Sequence, residues 1–249
     1  MLEVNEIFGV TIQGEGKKIG TPSVFVRFGK CNMQCTGFDV AYETPSGIKK
    51  YSCDSFYASD SAFRDSWTKY ETAELLINEV DTYLPNYKCD IVITGGEPLL
   101  YWNDVEFQKF LKHYIDNDYK ITIETNGSLD IEIEPWHKDI LFSISVKLSN
   151  SKEPIQKRIN IKTLQNMIEL SKENYLKFVI DKEFLKIAKK EIDEIISKIP
   201  KCDIYIMPLG DTNQKIDENS LTIVEFTLEN GYIYSDRLHI RLWDNERGK

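Results

Sequence analysis

A basic footprint is missing from this 249-residue chain. Its 40 Asp and Glu outnumber 31 Lys and Arg, giving a formal charge of -9 and a pI near 5.0. Proteins that grip phosphate backbones need clustered cations. The lysines of 182–198 instead alternate with acids, as on a solvated helix face, so no nucleic-acid partner is expected. Also missing are an apolar run long enough to cross a bilayer and a charged-then-apolar leader, so no membrane partner is expected. No Pro/Ser/Gly-rich linker or low-complexity run divides the sequence, and 41% of it is hydrophobic, enough for a sizeable core. One domain over 1–249 is the expectation.

Cysteine and histidine are scarce, at five and three, which makes the grouping of Cys31, Cys35 and Cys53 conspicuous. Thiolates suit zinc or iron–sulfur clusters. Zinc sites usually pair cysteines at C-x-x-C spacing and close with a fourth Cys or His. Neither Cys31–Cys35 nor Cys35–Cys53 has that spacing, and no His lies near. Three thiolates without a fourth ligand suit a four-iron cluster with one iron open. Buried cysteines are common in cores, but Gly29-Lys30 ahead of Cys31, and the polar Asn32 and Gln34, describe a loop. Such a cluster needs a reducing compartment, and the cytoplasm is the expected address.

Short β-rich runs at 23–28, 90–94, 119–124, 140–145, 176–180 and 203–207 alternate with helical patterns at 72–83, 104–114, 161–170, 182–199 and 219–229. Residues 3–10 read as an edge strand and 232–234 as a last short one. Strands alternating with helices imply a parallel sheet with right-handed crossovers. The count falls short of eight-fold closure, so the expected fold is α/β, a partial TIM-type barrel of about six mostly parallel strands. Residues 36–70 lack a period and read as an insertion with one short hairpin around Tyr42 to Tyr51.

Ligands in such folds sit at the carboxyl ends of the strands, where Arg27, Thr94, Glu124 and Ser145 fall. Arg27 can grip a carboxylate bidentately. Thr94-Gly95-Gly96-Glu97-Pro98 follows a strand directly; its glycines admit a ligand to the backbone, and Glu97 can accept hydrogen bonds from an ammonium group. The amide of Gln13 can read a heterocycle by its donors and acceptors. Cys89 and Cys202 read as structural thiols, His113 and His137 as surface residues, and His239 as structural or substrate-facing.

Gln13-Gly14-Glu15-Gly16, the Cys31 loop, Thr94-Gly95-Gly96-Glu97-Pro98, Glu124-Thr125-Asn126-Gly127 and Ser145-Val146-Lys147 follow in an order that resembles the 7-carboxy-7-deazaguanine synthases. These are radical S-adenosylmethionine (SAM) enzymes of queuosine biosynthesis. The resemblance implies a [4Fe-4S] cluster, SAM and Mg2+, with 6-carboxy-5,6,7,8-tetrahydropterin as substrate. A 5′-deoxyadenosyl radical would abstract hydrogen, and ring contraction with loss of ammonia would follow. It assigns Ile12, Gln13, Gly14, Arg27 and Thr94 to substrate. To SAM it assigns Asp54, Gly96, Glu97, Ser145, Val146, Lys147 and the segment Met207, Pro208, Leu209 and Gly210. It also implies a flavodoxin- or ferredoxin-type reductant and a homodimer. The superfamily usually reads C-x3-C-x2-C, and the third place here is Phe38. In the family an Asp and then Thr or Ser follow the third cysteine. Cys53-Asp54-Ser55 supplies both, whereas Cys89 and Cys202 lie at the amino ends of strands. The expected motif is therefore C-x3-C-x17-C, with Cys31, Cys35 and Cys53 on the cluster and Ser55 on Mg2+. A glycyl-radical-enzyme activase is a rival reading, opposed by Gln13-Gly14-Glu15-Gly16; a zinc-binding module is another.

Overall fold

A computed structural model describes all residues, 1–249. Eleven strands form in chain order: β1 (Leu2–Ile12), β2 (Pro22–Phe28), β3 (Val40–Glu43), β4 (Lys49–Ser52), β5 (Thr68–Tyr70), β6 (Asp90–Gly95), β7 (Ile121–Thr125), β8 (Leu141–Ile144), β9 (Glu173–Ile180), β10 (Asp203–Pro208) and β11 (Ile233–Tyr234). The helices are α1 (Phe56–Ser59), α2 (Ala73–Asp81), α3 (Val105–Asp116), α4 (Ile155–Arg158), α5 (Ile161–Leu170), α6 (Leu185–Ile196), α7 (Asn213–Asn230) and α8 (Leu238–Trp243).

Nine strands make one open sheet in the order β11-β10-β9-β8-β7-β6-β2-β1-β5. From β2 to β11 every pairing is parallel; β1 and β5 are antiparallel additions. The expected six core strands are β2 and β6 to β10, and the barrel does not close. In β6 every residue from Asp90 to Thr94 is buried, as a strand covered on both faces requires. α3 contributes Phe107, Phe110, Leu111 and Tyr114 to a 38-residue core. Phe28 meets Phe107 edge-on at 5.2 Å and is fully buried. Burial of one such ring contributes about 1.5–3 kcal/mol, and this ring fixes the end of β2 from which the cysteine loop departs.

Three expectations are corrected. β1 is an edge only beyond Val4: β5 pairs along the outer side of Leu2 to Val4, Glu3 opposite Lys69, a three-residue partner too short to carry a period. α6 is shorter than 182–199, because the Asp181 carboxylate accepts from the Glu183 and Phe184 amides and holds a turn ahead of it. α7 begins six residues before 219, since its first turns are polar and bury only Ile216. The insertion at 36–70 holds the expected hairpin, β3 with β4, on a small aromatic cluster in which Tyr42 stacks on Phe56 at 4.3 Å.

Candidate active site at the carboxyl ends of the strands

A cavity of about 690 Å³ opens where β2 and β6 to β10 end, and Cys31, Cys35 and Cys53 all line it. Cys89 and Cys202 do not; they sit just before β6 and β10, at the opposite ends of the strands. The loop is held by the polar side chains that mark it in the sequence. Asn32 donates to Ser128 Oγ at 2.9 Å and accepts from Asn126 Nδ2 at 2.8 Å, while Ser52 Oγ donates to the Gln34 carbonyl. Burial pushes all three thiols upward, Cys35 to about 12; each needs a nearby positive centre to ionise. Cys53 bears electrostatically on both Cys31 and Cys35, so the three thiols form one group on the cavity wall. A four-iron cluster takes one thiolate per iron and can leave one iron open, whereas a structural zinc takes four ligands. The donor set therefore fits the cluster.

Gly96 lies against this loop, and Gly95 against the Phe28 backbone at the end of β2. A Cβ on Gly96 would meet the Lys30 carbonyl at 2.1 Å and Cys31 Cβ at 3.0 Å, so only glycine lets the end of β6 approach this closely. Glu97 departs from expectation. It is fully buried and does not line the cavity. Its oxygens accept from the Leu99 amide, Thr125 Oγ1 and the Asn126 amide at 2.7–3.1 Å. It ties β6 to β7 rather than facing an ammonium group. Val146 likewise belongs to the core, at 2% exposure, and Pro208 is not among the lining residues. Ser145, Lys147, Met207, Leu209 and Gly210 are.

Ile12, Gln13, Gly14, Arg27 and Thr94 all face the cavity. Register explains one pairing: Arg27 is opposite Thr94 in the parallel β2–β6 ladder. Glu124, at the end of β7, accepts from Thr94 Oγ1 at 2.7 Å and Gln13 Nε2 at 3.1 Å. The Glu15 amide donates to Gln13 Oε1 at 3.2 Å, so both ends of this amide are oriented. Arg27 Nε donates to Glu6 at 2.7 Å, and Arg27 Nη1 lies 3.5 Å from Ser55 Oγ.

Sequence reasoning gave no role to the buried ion network at one side of this cavity. Glu15 accepts from Lys177 Nζ and, at 3.0 Å, from Arg237 Nε. Arg237 also donates to Asp54 at 2.6 Å and to the Gly210 carbonyl. The signal was available at Lys177, a charged residue inside the apolar strand Tyr175 to Ile180. Arg237 carried none, because its partners lie 222 and 183 positions away. His239 lines the cavity with its ring beside Gly14. His137, expected at the surface, is 2% exposed: its ring packs at a tilt against Trp102 and Trp136.

An open parallel sheet carrying a three-thiol loop and a ligand cavity at its carboxyl ends defines a class, and the comparisons agree. Residues 27–219 match the family model described as the Radical SAM superfamily. The 7-carboxy-7-deazaguanine synthase of Clostridium acetobutylicum is 32% identical over 250 residues, covering 96% of each chain. The Halobacterium salinarum enzyme of the same name is 29% identical over 270 residues, covering 98% of this chain and 91% of its own. The crystal structure of QueE from Escherichia coli superposes with a TM-score of 0.68 at 19% identity over 96% of this chain and 94% of that one, a likeness of fold. The chain belongs to the radical SAM superfamily and, within it, to the 7-carboxy-7-deazaguanine synthase family.

Proposed function

We infer that the chain converts 6-carboxy-5,6,7,8-tetrahydropterin to 7-carboxy-7-deazaguanine with loss of ammonia. The carrying observation is the joint lining of one cavity by the three thiols, the SAM-side residues Gly96, Ser145 and Lys147, and the recognition set Gln13, Arg27, Thr94 and Glu124. When bound, the [4Fe-4S] cluster and SAM supply the radical that takes a hydrogen atom from the substrate. The rest is the work of this chain's residues. Arg27 offers Nη2, and Nη1 beyond its long contact with Ser55 Oγ, to the substrate carboxylate while Glu6 occupies Nε. Burial opposes its charge, but Tyr57, Glu6 and Glu124 hold the guanidinium protonated. Glu124 presents an acceptor edge to the amino-pyrimidine part of the pterin, and the oriented amide of Gln13 lies beside it. Cavity walls such as Phe8 and Phe25, stacked at 4.9 Å, exclude water.

Ser55 and Asp54, both lining the cavity, are assigned to Mg2+ and to SAM respectively. Arg27 lies close enough to the Ser55 hydroxyl for one carboxylate to reach both. The chain acts as one domain, in the cytoplasm, as a homodimer reduced by a flavodoxin- or ferredoxin-type donor. The test is anaerobic incubation of the reconstituted protein with SAM, a reductant and the tetrahydropterin. Deazaguanine product with 5′-deoxyadenosine is expected; the absence of both overturns the reading.

A further inference from the structure

The cysteine loop contains three non-glycine residues with left-handed backbone, Lys30 at φ 75°, Cys35 at 48° and Asp39 at 59°. Such conformations persist only when surrounding structure imposes them. The restraint at Cys35 comes from outside the loop. Glu153, more than a hundred residues downstream, turns Oε1 onto two consecutive loop amides: Gln34 N at 2.5 Å and Cys35 N at 3.0 Å. Its other oxygen pairs with Lys157 Nζ at 2.9 Å, and the carboxylate side chain is 7% exposed. Gly37 completes the docking: a Cβ there would meet the Asn150 carbonyl at 1.9 Å. The loop therefore sits on the 150–157 segment, with a charged group at the contact.

We propose that Glu153 is a positioning residue for the cluster: it sets the backbone turn that aims Cys35 and places one buried negative charge beside the iron site. The inference rests on Cys31, Cys35 and Cys53 being the cluster ligands. Two consequences separate. The two amide hydrogen bonds fix ligand geometry, and outer partners of metal ligands are worth about 10–100-fold in metal affinity. The charge opposes addition of an electron to the cluster, because net charge and burial are among the determinants of its potential.

Three variants distinguish these roles, each reconstituted anaerobically as the full chain. The readouts are iron and sulfide content and the midpoint potential followed by electron paramagnetic resonance. Glu153→Gln keeps an acceptor oxygen for both amides and removes the charge; it is expected to hold wild-type iron and to reduce at a less negative potential. Glu153→Ala loses the turn, and its cluster affinity should fall by about tenfold or more. Lys157→Met leaves the amide contacts and removes the compensating cation, moving the potential the other way. Wild-type iron in Glu153→Ala overturns the positioning role, and an unchanged potential in Glu153→Gln overturns the charge role. If Glu153→Ala does not fold, Glu153→Asp, whose shorter side chain draws the carboxylate back from the Gln34 and Cys35 amides, decides the positioning role by its iron content, wild-type iron overturning it, while Glu153→Gln decides the charge role. A wild-type protein that takes up no cluster removes the ligand assignment itself, which is a different failure from variants that match a loaded wild type.

Discussion

Removing the Glu15 carboxylate should be among the most damaging single changes outside the hydrophobic core. Glu15 sits between two buried cations, Lys177 at 6% and Arg237 at 10% side-chain exposure, and is itself 12% exposed. Taking one partner from a buried pair costs about 3–5 kcal/mol, because the orphaned charge keeps its desolvation penalty. Arg237 retains Asp54 and the Gly210 carbonyl, so the damage falls mainly on Lys177, and Glu15→Ala should lose about 3 kcal/mol. That is a large part of the roughly 5–15 kcal/mol by which a domain is stable. Glu15→Ala with Lys177→Met, which removes both charges, should recover most of the loss. The pH dependence has a definite sign. Burial opposes ionisation of Glu15, but Lys177, Arg237 and His239 hold its carboxyl far below the ordinary value of 4.5. Its stabilisation is therefore present above about pH 4.5 and lost progressively as pH falls. Urea denaturation of the apoprotein, at neutral pH and in acid, measures both effects. A loss under about 1 kcal/mol, the scale of a surface pair, or a double variant no better than the single one, would refute the argument.

Other expectations follow from the same geometry. Cys53→Ala should fail to assemble a four-iron cluster, whereas Cys89→Ala and Cys202→Ala should load fully; iron analysis after anaerobic reconstitution decides. Arg27→Ala should raise the substrate KM at least tenfold with the cluster intact, since a charge-assisted hydrogen bond is worth about 1.5–3 kcal/mol. Unchanged KM would remove Arg27 from the site. His137 accepts from the Glu134 amide at 2.9 Å through Nδ1 and faces Gln108 Oε1 at 2.7 Å through Nε2, a pairing that needs the neutral ring. Burial pushes its pKa down to about 4 from 6.5. Stability is thus full above pH 6.5 and should decline by about 3 kcal/mol between 6.5 and 4; His137→Gln should flatten that limb in acid denaturation.

The covered strands and amphipathic helices were legible because burial imposes a local period. Ile91 to Ile93 is apolar without interruption, and Phe107, Phe110, Leu111 and Tyr114 recur at helical spacing, so β6 and α3 could be placed from residues alone. The ligand end of the sheet was legible for a related reason. In a parallel sheet all carboxyl ends share one edge, so Arg27, Thr94, Glu124 and Ser145 had to meet there once the strands were named. Separating Cys53 from Cys89 and Cys202 used their positions relative to those ends together with the Cys53-Asp54-Ser55 pattern that the family resemblance supplies. In the structure Cys53 alone of the three lines the cavity.

Direction and partnership of side chains were decided by tertiary structure. Glu97 and Val146 lie in motifs that line the cavity elsewhere along their length, yet packing turns both inward, and no local period distinguishes them from Gly96 or Lys147. His137 becomes buried because Trp102 and Gln108 come to it from other elements. The network of Glu15, Lys177, Arg237 and Asp54 gathers residues more than two hundred positions apart. The Cys35 turn depends likewise on Glu153, 118 residues away. Charges in such places tolerate burial only when partnered, and partnership between distant segments leaves no trace in spacing. The sequence alone therefore determined which elements form and which sheet edge bears the chemistry, and the folded chain determined which side chains at that edge are free to act.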